Sequence, residues 1–151
     1  MVYAYWFFLI LYIICPLWLY GKAALSSCLL EMEDRIILIA TLRLLDNRLS
    51  ELKAAVQELQ KHCVKTEQGM LQYDWYLSEN SDIIKVFETY VNSEAVLFHF
   101  DNYKPFAPAL SESRTFVSLE VFGNANEALR QRVQKINAPH FKAISNFNTL
   151  K

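Results

Sequence analysis

The stretch from Gly69 to Phe100 constrains the fold more than any other part of the chain. It reads Gly-Met-Leu-Gln-Tyr-Asp-Trp-Tyr-Leu, a polar turn Ser-Glu-Asn-Ser-Asp, Ile-Ile-Lys-Val-Phe-Glu-Thr-Tyr-Val, then Asn-Ser-Glu-Ala-Val-Leu-Phe-His-Phe. Two β-rich runs of similar length joined by such a turn predict an antiparallel pair. Ser93 is a suitable N-cap for the helix that follows, and Glu94 places a carboxylate in its first turn. A strand, a hairpin, a second strand and a capped helix in so short a space leave few architectures open.

The flanking segments complete the pattern. Ile36 to Leu45 is aliphatic and β-branched, a strand whose near-continuous apolarity predicts burial on both faces. Asp46-Asn47-Arg48 forms a turn and offers an N-cap. Leu49, Leu52, Val56, Leu59 and Cys63 then recur at helical spacing, with Glu51, Lys53, Glu58 and Lys61 mostly off that stripe. The helix ends over residues 66–69, where Gly69 suits a backbone turn. In the second strand, Met70 to Leu77, Leu71, Tyr73, Trp75 and Leu77 share one face, and Gln72, Asp74 and Tyr76 share the other. In the third, Ile83 to Val91, Val86, Glu88 and Tyr90 oppose Lys85, Phe87, Thr89 and Val91. A second helix over Glu94 to Tyr103 stops before Pro105. Phe116 to Phe122 is a fourth strand ended by Gly123-Asn124. A short polar helix, Glu127 to Lys135, and an irregular tail follow. Phe141, Ile144 and Phe147 at helical spacing predict that the tail packs back on the domain.

The order β-α-β-β-α-β is the α+β, ferredoxin-like split arrangement with an antiparallel sheet. The handedness rule places both crossover helices on one side of it. The other face is left bare, with Phe87, Val91 and either Phe116 and Phe122 or Val117 and Val121 upon it. An apolar face of that size calls for a partner. Pairing two sheets face to face predicts a homodimer, a dimeric α/β barrel. The expected division is an apolar segment over residues 1–31, the ferredoxin-like domain over 33–123, and a helix and tail over 124–151 packing on it.

Charge and composition exclude some functions. The chain has 151 residues, a net charge of −1 and a pI near 6.3, which gives no basic face for a nucleic acid. Cys15, Cys28 and Cys63 are scattered and odd in number, so the domain is read as belonging to a reducing, cytoplasmic compartment. Val2 to Tyr20 carries no charge and is long enough to cross a bilayer as an apolar helix, with Tyr3, Tyr5, Trp6, Trp18 and Tyr20 crowding its ends. Three readings stay open for residues 1–31: a membrane anchor, a cleaved export signal, or a segment preceding a true start at Met32. Translated from Met1 the protein is membrane-associated through residues 2–20; translated from Met32 it is soluble.

Few residues speak to chemistry. His99, on the second helix, has an unperturbed pKa suited to a general base; the alternative is packing at the helix surface. Glu88 and Tyr90 share a strand face about 7 Å apart, one able to accept a proton and the other to donate to an oxyanion. The alternative is a buried carboxylate satisfied by backbone or Arg43. Tyr73 and Trp75 can stack on an aromatic ligand or simply fill the core. His62 and Cys63 point about 100° apart on a helix and cannot share an ion, and no Cys-x-x-Cys, His-x-x-x-His or acidic loop occurs, so no protein-built metal site is expected. Three glycines, at 21, 69 and 123, exclude a glycine-rich phosphate loop, and there is no Gly-x-Ser-x-Gly elbow. Arg130, Arg132 and Lys135 read as a solvated face.

Taken in order, Ile39-Ala40-Thr41-Leu42, Gly69 with Tyr73, Phe87-Glu88-Thr89-Tyr90, Ser93-Glu94-Ala95, His99, Leu119-Glu120-Val121-Phe122-Gly123 and Ala138-Pro139-His140-Phe141 resemble the antibiotic biosynthesis monooxygenase domain, over about residues 35 to 147. The resemblance implies a dimeric α/β barrel with a pocket in each subunit between sheet and helices. It implies a monooxygenase that oxidises an aromatic or quinol-like substrate with O₂, without metal or flavin; the candidate catalytic groups for it are the Glu88, Tyr90 and His99 weighed above. Tyr73, Trp75 and Leu42 would touch substrate. Heme-degrading members carry Asn, Trp and His where this chain has Leu42, Tyr90 and approximately Leu110, so heme is disfavoured. Other members are binding modules without chemistry, which leaves a non-catalytic dimeric ligand-binding module as the alternative.

Overall fold

The computed structural model describes residues 34–145. Strand β1 (Ile36–Leu44) leads into helix α1 (Leu49–Thr66), the hairpin β2 (Met70–Leu77) and β3 (Ile83–Tyr90), and helix α2 (Ser93–Asn102). A short helix α3 (Ala107–Ser111), strand β4 (Arg114–Phe122), helix α4 (Glu127–Gln134) and a two-residue strand β5 (His140–Phe141) follow. The sheet order is β2-β3-β1-β4-β5, antiparallel except for the parallel β4–β5 pair. This is the expected ferredoxin-like α+β arrangement with one strand added. The apolar run at residues 2–20 and Phe147 lie outside the described residues. Among those described, no helix is long and apolar enough to cross a membrane.

Alternation along the strands decides which side chains meet the helices. Ile36, Leu38, Ala40 and Leu42 of β1 are buried, as are Ile84, Val86, Glu88 and Tyr90 of β3. Helix α1 covers this face with Leu52, Val56, Leu59 and Cys63, the stripe its spacing predicts. Expected burial of β1 on both faces does not hold within one chain, because Ile37 is 40% exposed on the uncovered side. Ile39 pairs there with Phe87 and with Glu120, and Ile37 with Thr89 and Phe122. Phe116 and Phe122 do not share a face as expected. The register slips between Thr41 and Leu42, so Val117 is skipped and Phe116 pairs with Leu42 on the helix side. A bulge of this kind inverts the parity of everything beyond it. Val121 is fully buried beneath the helices, so neither expected pair lines the open face.

Caps differ from the sequence reading in an instructive way. Asn92, not Ser93, caps α2, its side chain accepting from the Ala95 N–H at 2.9 Å. Ser93 Oγ is left to accept from the Asn126 N–H at 3.0 Å. Asn126 in turn caps α4 through the Leu129 N–H and donates from Nδ2 to Glu94. The start of α2 is therefore clasped to the start of α4, which holds Leu129 and Val133 in the core. As far as residue 145 the tail forms no helix: Phe141 stacks on Phe122 with centroids 4.7 Å apart, and Ile144 is wholly exposed.

Gly123 ends β4 with φ +110°, and a Cβ there would lie 2.3 Å from the Arg35 carbonyl oxygen. Only glycine adopts that backbone freely. Gly123→Ala is expected to cost about 2–4 kcal/mol from strain and overclose contact together. A lowered urea midpoint with unchanged slope is the check.

Candidate functional site

The covered face of the sheet does not pack solidly against its helices. A cavity of about 310 Å³ opens between them. Its floor is Ala40, Leu42, Val86 and Leu119 from the strands, and Val133 and Ile136 bring the α4 end of the chain against it. The Ser93–Asn126 clasp explains why that end stays in place. Aromatic rings make much of the rest: Tyr73, Trp75, Phe100, Tyr103 and Phe116. Glu88, His99 and Arg114 supply charged or titratable groups, with Arg132 beside them.

Five of the six residues singled out from the sequence line this one cavity: Leu42, Tyr73, Trp75, Glu88 and His99. Tyr90 does not. It is fully buried, and its hydroxyl donates to Glu88 Oε2 at 2.6 Å. Tyr90 therefore fixes the carboxylate from behind and is no donor to a ligand oxyanion. The suggested Arg43 partner for Glu88 is also displaced, since Arg43 pairs with Asp82 at 2.7 Å on the surface.

His99 is 3% exposed rather than a surface residue. Its Nδ1 lies 2.9 and 3.2 Å from the two oxygens of Glu67, and Nε2 lies 4.0 Å from Glu88 Oε2. Rings pack around it, Tyr73 at 5.2 Å, Tyr90 at 5.7 Å and Tyr103 at 6.1 Å between centroids. A carboxylate on Nδ1 selects the tautomer with the proton on that nitrogen, leaving Nε2 as acceptor on the Glu88 side. Glu67 is itself held by Asn102 Nδ2 at 2.7 Å, and Asn102 Oδ1 meets His62 Nε2 at 2.8 Å.

The two carboxylates flanking His99 are tuned in opposite directions. Burial pushes Glu88 above the ordinary carboxylate range, only partly offset by His99 and the Tyr90 hydroxyl. Burial would raise Glu67 too, but the bonds from His99 and Asn102 outweigh it and hold Glu67 low. Glu67 is thus the fixed anion that orients the imidazole, and Glu88 is the carboxyl more readily protonated. Pairs pushed apart in this way mark acid–base assignments. Burial likewise raises the hydroxyls of Tyr73, Tyr90 and Tyr103, which stay protonated.

The opposed shifts give opposite stability–pH slopes. A raised folded pKa contributes stability below the unfolded value, which is lost as pH climbs through the folded one. Glu88→Gln is therefore expected to match the native chain near pH 4 and exceed it progressively as pH rises. A lowered pKa acts the other way, so the native chain should outlast Glu67→Gln at neutral pH and lose that advantage as pH falls through the depressed Glu67 pKa. Melting temperatures of both variants from about pH 3 to 8 check the two signs.

Cys63, Glu67 and His99 also place ligand-type atoms within 4.8 Å of one another. Burial, with Glu67 next to it, pushes the Cys63 thiol up, so it stays protonated beside a carboxylate already committed to His99 and Asn102. His62, the other half of the adjacent pair weighed as ligands, packs on Phe106 instead.

Glu67 and Arg114 were not foreseen. Glu67 continues the α1 stripe one step beyond Cys63, at i+4, and a carboxylate in that position was the available signal. Arg114 stands two residues before the expected start of β4, outside every element the sequence predicts.

A ferredoxin-like sheet thus carries, between itself and its helices, a ring-lined cavity that holds a carboxylate-braced histidine. The profile of the family described as antibiotic biosynthesis monooxygenase matches residues 35–146. The chain belongs to that family. Its fold is shared by MupZ from Pseudomonas fluorescens, at 21% identity and TM-score 0.68 over 76% of this chain and 93% of that one. SnoaB from Streptomyces nogalater, described as a cofactor-independent oxygenase, aligns at 11% identity and TM-score 0.53 over 62% and 95%. Rv0793 from Mycobacterium tuberculosis aligns at 22% and 0.52 over 63% and 99%. Among curated proteins no sequence matches.

Proposed function

We propose that the protein is a cofactor-independent monooxygenase that oxidises an aromatic or quinol-like small molecule with O₂. The observation that carries this reading is His99, fixed at Nδ1 by a low-pKa Glu67 and presenting Nε2 beside Glu88 in a cavity walled by aromatic rings. Membership of the family and the fold shared with an oxygenase of that kind support the same choice.

The chemistry asks little of the protein beyond proton control. A hydroquinone and O₂ contain all the electrons needed to give a hydroxyquinone and water, so the substrate is its own reductant. His99 Nε2 takes the phenolic proton, and the imidazolium that forms is stabilised by Glu67 at Nδ1. The electron-rich phenolate passes one electron to O₂, and the resulting radical pair joins as a C–O bond. His99 returns the proton to the peroxide, and loss of water leaves the new carbonyl. Tyr73 and Trp75 would hold the ring in the dry cavity, and Leu42 would pack beneath it.

The open sheet face supports a homodimer. Ile37, Ile39, Phe87, Phe122 and Phe141 lie on or beside it, and a second copy would cover them.

Oxygen uptake by the purified chain with a panel of hydroquinones and anthrones, under chelator and without flavin or heme, tests the reading. Turnover well above autoxidation is expected. Uptake no faster than the uncatalysed background across the panel, with ligands still bound, would favour a binding module instead.

A further inference from the structure

We propose that the natural ligand of this cavity carries a carboxylate, and that Arg114 binds it. The proposal rests on the oxidising-site reading above for the rest of the ligand, an aromatic ring, and adds the anionic group.

Three buried side-chain polar atoms have no hydrogen-bond partner among the described residues: Trp75 Nε1, Arg114 Nε and His140 Nδ1. The first two belong to side chains that line this one cavity, and both are N–H donors. A buried donor left unmet costs about 1–3 kcal/mol, so native structures supply an acceptor. Neither donor is met by an oxygen of the cavity's own side chains.

Charge narrows the acceptor to an anion. Arg114 brings a guanidinium cation to the cavity wall. Its Nη2 donates to the neutral Tyr103 hydroxyl, and none of the ion pairs within 4 Å among the described residues includes it. The neighbouring Arg132 differs, being paired with Asp101 at 3.1 Å. Glu88 shares the cavity, but its Oε2 accepts from Tyr90 and lies 4.0 Å from His99 Nε2, and it makes no ion pair with Arg114. A guanidinium that lines an aromatic cavity and makes no ion pair fits a planar carboxylate through paired N–H···O bonds. Tyr103 contacts His99 by its ring and Arg114 by its hydroxyl, so one ligand can span the base and the cation. The class this describes is a hydroxylated aromatic acid.

Anaerobic calorimetry with 2,5-dihydroxybenzoate and its methyl ester separates charge from shape. The acid is expected to bind the native chain about tenfold or more tightly than the ester. Arg114→Gln should erase that preference while leaving ester affinity within about threefold, and Arg114→Lys should keep part of it. Equal binding of acid and ester by the native chain overturns the proposal without recourse to any variant. A preference that survives in folded Arg114→Gln overturns the assignment to Arg114. Oxygen uptake is read separately. Acid preference without turnover leaves the carboxylate site standing and removes the monooxygenase reading; turnover without acid preference does the reverse.

Discussion

Replacing His99 with alanine is expected to lower kcat by about 100-fold or more, the usual worth of a positioned general base, while the fold persists. KM for a hydroquinone should change much less, since on the proposed reading Tyr73, Trp75 and Leu42, rather than the imidazole, would hold the ring. Glu67→Gln should fall in the same direction by a smaller factor, because an amide can still accept from Nδ1–H but no longer stabilises the imidazolium as an anion does. Tyr90→Phe should have the mildest effect on turnover: its hydroxyl reaches the site only through Glu88. Steady-state oxygen uptake across the three variants, with circular dichroism as the folding control, reads this order. Equal losses in Tyr90→Phe and His99→Ala would contradict the division of roles.

The other large effect concerns assembly. Ile39 and Phe87 are cross-strand partners at the middle of the uncovered sheet face. Two carboxylates placed there, as Ile39→Glu with Phe87→Glu, would be buried unpaired in any sheet-to-sheet dimer. That penalty is several kcal/mol per group, so dimer affinity should weaken by about 1000-fold or more. The cavity lies on the opposite face of the sheet, so ligand binding per chain should survive. Sedimentation equilibrium over a range of protein concentrations distinguishes a dimer that becomes a monomer from a chain that associates by another surface. An unchanged association constant would show that this face is not the interface.

Much of the fold was legible because it rests on local signals. The period-2 pattern of Ile83 to Val91, the stripe from Leu49 to Cys63 and the polar turn between β2 and β3 each have a direct physical cause, and each element stands where its pattern puts it. What escaped has a different origin. The bulge opposite Thr41 and Leu42 is a property of strand pairing and leaves no mark in the composition of β4, yet it moves Phe116 into the cavity. Asn92 displaced Ser93 as the cap because the Ser93 hydroxyl is claimed by Asn126, a contact between residues far apart in the chain. Strand β5 is too short to carry a period.

The site divides along the same line. Glu88 stood out beside Tyr90 on one strand face, and His99 as a residue type suited to a general base; both belong to the cavity. Their meaning depends on Glu67, which arrives from the end of α1, and on Arg114 at the start of β4. No spacing rule links those residues to His99. Only the packing of α1 and α2 on one sheet face brings the carboxylate within 2.9 Å of the imidazole.

The most direct test of the central claim is the fate of ¹⁸O₂ in a single round of anthrone oxidation by the purified chain, under chelator and without added cofactor. The account predicts one labelled oxygen in the anthraquinone, with the other lost as water, and no label above background with His99→Ala. Unlabelled product accompanied by hydrogen peroxide, or labelling that does not depend on His99, would contradict it.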